Sequence, residues 1–111
     1  MRYDQGAIVI GTDPFGDGPK RPYLVVSNER QPFHDEEQVV AGVTTTEREG
    51  AVRLDPEDYV EGELPRQSSV SPWSVTTLKQ YHVDKWVATV SLSIVEAVIE
   101  QMASYVEPVA E

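Results

Sequence analysis

Short blocks of β-branched and aliphatic residues, each cut off within a few positions by glycine or proline, are what most constrain this chain. Ala7-Ile8-Val9-Ile10, Tyr23-Leu24-Val25-Val26 and Val39-Val40-Ala41-Gly42-Val43 are strand-length runs, too short for helices and bounded by turn formers. Residues 13–19 hold two Pro and two Gly. They must leave any central strand as an exposed loop, because Pro removes a ladder donor and Gly offers no side chain to pack. Arg21-Pro22 then opens a second strand at the position where Pro is tolerated. A third is expected over 38–44, running into Thr44-Thr45-Thr46, and a fourth over 51–54 after the turn at Glu49-Gly50, with a turn or helical stub at Asp55-Pro56-Glu57-Asp58. Residues 67–71 and 75–78 read as two further strands broken at Pro72-Trp73, and 85–90 as one more. Strands this short at such close intervals fit a small barrel or sandwich.

The period changes once. Leu92, Val95, Val98, Ile99, Met102 and Val106 recur at helical spacing, predicting an amphipathic helix of about four turns that packs on the barrel. Ser93 with Glu96 forms a capping box, Ser91 is the competing cap, and Pro108 marks the stop. The expected fold is mainly β (α+β): one domain over 1–111, with its core from about 6 to 106. At 111 residues the chain has room for one compact core and little more.

Composition removes several classes of chemistry. The chain has no Cys, so disulfides, thiolate zinc sites, iron–sulfur clusters and a cysteine nucleophile are excluded. Nine Lys and Arg against nineteen Asp and Glu leave a net charge of −10. The carboxylates are spread through both halves, which makes an acidic surface and argues against nonspecific polyanion binding. One explanation of the excess is a protein adapted to concentrated salt, where self-repulsion is screened. No apolar run approaches the ~20 residues that span a bilayer, and no apolar segment follows Met1-Arg2 as a signal peptide would require. The expectation is a cytoplasmic protein without a membrane segment.

Four segments occur in order: Gly6-Ala7-Ile8-Val9, the Gly/Pro loop running into Lys20-Arg21-Pro22-Tyr23-Leu24-Val25-Val26-Ser27-Asn28, the strand Val39-Val40-Ala41-Gly42-Val43-Thr44-Thr45, and Ser69-Val70 through Leu78 followed by a helix. Together they resemble the MazF/PemK family of toxin endoribonucleases over nearly the whole chain, from Gly6 to about Val106. The Arg-Pro-apolar-Ser-Asn block is the most specific part. The resemblance implies a small SH3-like β-barrel with a C-terminal helix, a homodimer, and the toxin of a type II toxin–antitoxin pair held by a cognate antitoxin. It further implies cleavage of single-stranded RNA without metal or cofactor, by attack of the ribose 2′-OH on the adjacent phosphorus to leave 2′,3′-cyclic phosphate and 5′-OH ends. Arg21 matches the family's catalytic arginine and Thr44 its catalytic threonine.

By residue type alone, an Arg before Pro is ordinarily a solvated charge and a Thr at a strand end a β-former. The resemblance is what singles them out. Phe15, Lys20, Thr45 and Ser74 are the candidate substrate-binding residues, Lys20 as a point charge on phosphate and Phe15 as a base stacker. Lys20, Arg21, Arg48 and Arg53 are the nearest candidates for a local positive strip. The chain also departs from the family: an acid-Gln pair followed by Arg or Lys is replaced by Trp73-Ser74-Val75-Thr76, and Ala7 stands where an acid is common. Any catalysis then rests on Arg21 and Thr44, and Trp73 reads as a core or dimer-interface aromatic ahead of a stacking platform. His34 and His82 lie in no matching catalytic segment, and His82 with Asp84 lacks a third ligand, so no metal site is expected. Two alternatives stay open: a catalytically silent binding module, which the lost acid and base favour, and inhibition of a topoisomerase-type target, as in a toxin family sharing this barrel.

Overall fold

The computed structural model describes residues 3–13 and 18–110. Among these residues seven antiparallel strands form one sheet, curled into a nearly closed barrel, in the order β4-β6-β3-β2-β1-β7-β5. They are β1 (Ala7–Gly11), β2 (Arg21–Val25), β3 (Glu37–Thr44), β4 (Val52–Leu54), β5 (Tyr59–Gly62), β6 (Ser68–Lys79) and β7 (Val83–Val90), followed by the helix α1 (Leu92–Val106). This is the mainly β barrel with a C-terminal helix that the sequence predicts.

The continuous apolar runs of β1, β2 and β3 arise because both faces of these central strands are covered. Ile8, Leu24 and Ala41 are opposite one another across three strands and enter the main core with Val43, Val70, Ala88 and Val90. Their neighbours Val9, Tyr23, Val25 and Val40 form a smaller cluster on the other face, with Ala7 and Leu78. Alternation along each strand feeds both clusters. Each fully buried aliphatic side chain contributes about 1.5–3 kcal/mol relative to exposure.

Helix α1 closes the main core with Ile94, Val95 and Val98, and Met102 packs beside them. Its N-cap is Ser91 rather than Ser93, and it ends just before Glu107, which is extended as the residue before Pro108 should be. Of the predicted stripe, Leu92, Ile99 and Val106 remain exposed. These three are spaced by seven along one flank, while the packed line runs through Ile94, Val95, Val98 and Met102.

Two expectations are corrected. Residues 67–71 and 75–78 belong to one long strand, β6, because its pairing with β3 jumps from Ala41↔Val75 to Gly42↔Ser71. Residues 72–74 bulge out of the ladder, and a Pro in a bulge forfeits no ladder bond. The acidic segment after Asp55 is not merely a solvated face. Following a short 3₁₀ turn at Pro56–Asp58, it adds β5 to the sheet edge against β7. Its Glu61 and Gly62 carry weak strand propensity, so only the pairing reveals it.

Candidate functional site

The register between β2 and β3 sets Tyr23 opposite Gly42. Carried two residues further, it sets Arg21 opposite Thr44. Alternation then puts Arg21, Tyr23, Gly42 and Thr44 on one face, the side away from α1. Gly42 has a spatial reason to be glycine: a Cβ there would lie 3.1 Å from Ser74 Oγ. The missing side chain lets the β6 bulge lean over β3 and brings the Ser74 hydroxyl to the same face.

Together these residues line a groove of about 650 Å³, to which the loop after β3 adds Thr46 and Arg48, and the bulge adds Trp73. Its inventory is two guanidiniums, several hydroxyls, an indole, the Tyr23 phenol and the carboxylate of Asp13. The Thr44 hydroxyl accepts the backbone N–H of Thr46 at 3.1 Å, which ties the start of the loop to the strand and leaves the hydroxyl proton available to a ligand. Burial raises the Tyr23 phenol above its ordinary value of 10.0, the Asp13 charge adds to the shift, and the Arg21 charge opposes it. The phenol therefore stays protonated near neutral pH and offers a donor.

The structure sorts the four candidate cations into two pairs. Lys20 is bound to Asp84 at 3.0 Å and Arg53 to Asp55 at 2.9 Å, and neither lines the groove. Arg21 and Arg48 line it, and among the described residues neither has a carboxylate in salt-bridge reach. Two guanidiniums facing one cavity make a site for an anion with several oxygens, since each can grip two of them.

Of the other candidates, Ser74 lines the groove, Thr45 is exposed outside its lining, and Phe15 lies outside the described residues. Trp73 is 40% exposed and is not in the core. His34 is buried with its Nδ1 3.5 Å from Gln38 Nε2. His82 holds the end of β1 through its carbonyl, which accepts the Thr12 N–H at 2.9 Å. Neither histidine lines the groove. Among the described residues no group of three or more His, Cys, Asp or Glu is placed to hold a metal ion, and no helix is long and apolar enough to cross a membrane. Asp13 and Tyr23 were not singled out by the sequence. The signal that could have found Tyr23 is its spacing, two residues from Arg21 on a strand.

No protein-family model matches this chain, and no curated protein matches it in sequence. Solved structures do match. The Mycobacterium tuberculosis toxin MazF-mt6 is 25% identical and superposes with a TM-score of 0.69 over 88% of this chain and 93% of its own. An endoribonuclease from a mycobacterial species superposes at 0.73 with 20% identity, over 94% of this chain and 90% of its own. A chain of the MazE-MazF complex of Deinococcus radiodurans superposes at 0.70 with 17% identity, over 95% of each. The resemblance to MazF toxins holds across the whole fold.

Proposed function

We propose that this protein is a MazF-type toxin endoribonuclease that cleaves single-stranded RNA without a metal ion. The observation that carries the reading is the meeting of Arg21, Thr44 and Ser74 in one groove, on a fold similar to structures described as endoribonucleases. In the reaction, the ribose 2′-oxygen attacks the adjacent phosphorus and gives up its proton to a base. The bond from phosphorus to the 5′-oxygen breaks, and that oxygen takes a proton. No water is consumed, and the ends are a 2′,3′-cyclic phosphate and a 5′-OH.

Arg21 neutralises the charge that grows on the non-bridging oxygens, an electrostatic effect worth roughly 10²–10³ in rate for one good donor. The Thr44 and Ser74 hydroxyls donate to the same oxygens. Arg48 holds a neighbouring phosphate. Asp13 is the carboxylate among the described groove residues, and a carboxylate is a group able to accept the 2′-OH proton. The matching MazE-MazF complexes support a cognate antitoxin as partner; a homodimer, and an antitoxin segment lying over the groove, belong to the same proposal. The cytoplasm is where such a toxin meets its RNA.

The test is cleavage of a labelled single-stranded RNA pool with EDTA present, at low and at molar salt, for the wild type and Arg21→Ala. Cuts that leave cyclic-phosphate ends and vanish in Arg21→Ala support the reading. A folded wild-type protein that cuts nothing in either salt overturns it in favour of the silent binding module, the second reading, which rests on Trp73-Ser74-Val75-Thr76 standing in place of the family's acid and base. Salt adaptation is tested separately. With a net charge of −10, melting temperature should rise from low to molar salt as self-repulsion is screened, and equal stability in both discards the idea.

A further inference from the structure

Trp73 lines the groove, and the cleavage chemistry gives it no task. The geometry points to Trp73 as a stacking platform for a base of the bound single-stranded RNA, a role that rests on the ribonuclease reading for its substrate class. Four observations converge on it. The indole stands 40% exposed in the wall of the cavity that holds Arg21 and Arg48. The bulge that carries it is anchored on both sides: Pro72 is fully buried, and Val75 is back in register with Ala41. The indole is thus presented from a fixed backbone, so stacking a base on it need not order the chain that carries it.

The loop after β3 runs beside the ring edge. Gly50, at φ +91°, would place a Cβ 3.5 Å from Trp73 Cζ3 and 3.7 Å from the Tyr105 hydroxyl. Both are ordinary contact distances, so it is the positive φ and not a lack of space that calls for glycine there. The last observation is charge. At −10 overall the protein repels RNA at long range, and two guanidiniums cannot supply the counterion release that drives most nucleic-acid binding. Affinity must come from contacts that ignore the overall field. Stacking of a base on an aromatic ring is such a contact, and it tolerates any base because every base has a π-face.

The experiment uses Trp86→Phe protein, in which Trp73 is the sole tryptophan, and a single-stranded RNA heptamer pool 2′-O-methylated at every ribose so that it cannot be cut. An abasic ribose-phosphate heptamer is the control. Trp73 fluorescence should be quenched by the base-bearing pool and not by the abasic chain. In the wild-type background, Trp73→Ala should weaken binding of the same pool, labelled with fluorescein, roughly 10- to 100-fold, with Trp73→Phe in between. That ratio should persist in molar salt, where a contribution from Arg48→Ala fades. Equal quenching by the abasic chain, or unchanged affinity in a folded Trp73→Ala, overturns the proposal. So does loss of the oligomer in Trp73→Ala without base-dependent quenching, which makes Trp73 an interface residue between copies. Cleavage of unmodified RNA is followed in parallel. Quenching without cleavage retains the stacking platform and removes the ribonuclease, whereas cleavage without base-dependent quenching does the reverse.

Discussion

Along β3, adjacent residues live in different surroundings. Ala41 and Val43 point into the main core beneath α1, while Gly42 and Thr44 face the groove. The helix side is filled with aliphatic volume. The other side begins the same way, with Val40, Tyr23 and Val25, and then gives way to a glycine, hydroxyls and two guanidiniums. Because one strand serves both faces, the core side fixes the register of the site side. A slip of one residue would turn Thr44 inward and expose Val43. The groove is built where packing stops, from residues whose positions the packed face has already set.

The strongest way to break this contrast is to damage the packed face. Leu24→Ala, deep in the main core, should cost about 2–5 kcal/mol of stability in urea unfolding, and should lower activity only through the unfolded fraction. On the groove side the expectation inverts. Arg21→Ala should leave the melting temperature unchanged and slow RNA cleavage by about 10²–10³. A large stability loss in Arg21→Ala would mean that the two faces are not separable. Gly42→Ala sharpens the contrast at its boundary: its Cβ, 3.1 Å from Ser74 Oγ, should displace the hydroxyl and reduce cleavage roughly tenfold, with a stability change below about 1 kcal/mol.

The smallest effect is electrostatic. Burial raises the phenols of Tyr23 and Tyr59 above their ordinary value of 10.0. Below that value both phenols are neutral, folded or unfolded, and their stabilisation is fully present. As pH climbs past it, the unfolded chain ionises first and stability falls until the folded phenols ionise as well. Thermal melts across this alkaline range should show the decline, and Tyr23→Phe should flatten part of it.

Much of this could be read before any coordinates. The runs at 7–10, 23–26 and 39–43, the 92–106 helix and the Arg21-Pro22 strand start follow from local propensity and period, and the observed strands agree within a residue or two. What local sequence hides are the contacts made by distant segments. Pro72-Trp73 looks like a break because Pro ordinarily ends a strand, yet β6 carries residues 72–74 as a bulge and pairs with β3 on both sides of it, at Ala41 and Gly42. Lys20 and Arg21 are adjacent and look equivalent. Only the approach of β7 beside β1 brings Asp84 to Lys20 and leaves the groove to its neighbour.

The sequence by itself determined a small, acidic, mainly β chain with one terminal helix, because alternation, breakers and net charge are local or additive properties. It also marked Arg21 and Thr44 through a resemblance. Tertiary structure alone decided that these two line one groove, that Arg48 and Asp13 join them, and that Lys20 and Arg53 are spent on carboxylates. The physical reason is that register and ion pairing depend on distances between residues far apart in the chain, which are set only when the two faces of the sheet pack.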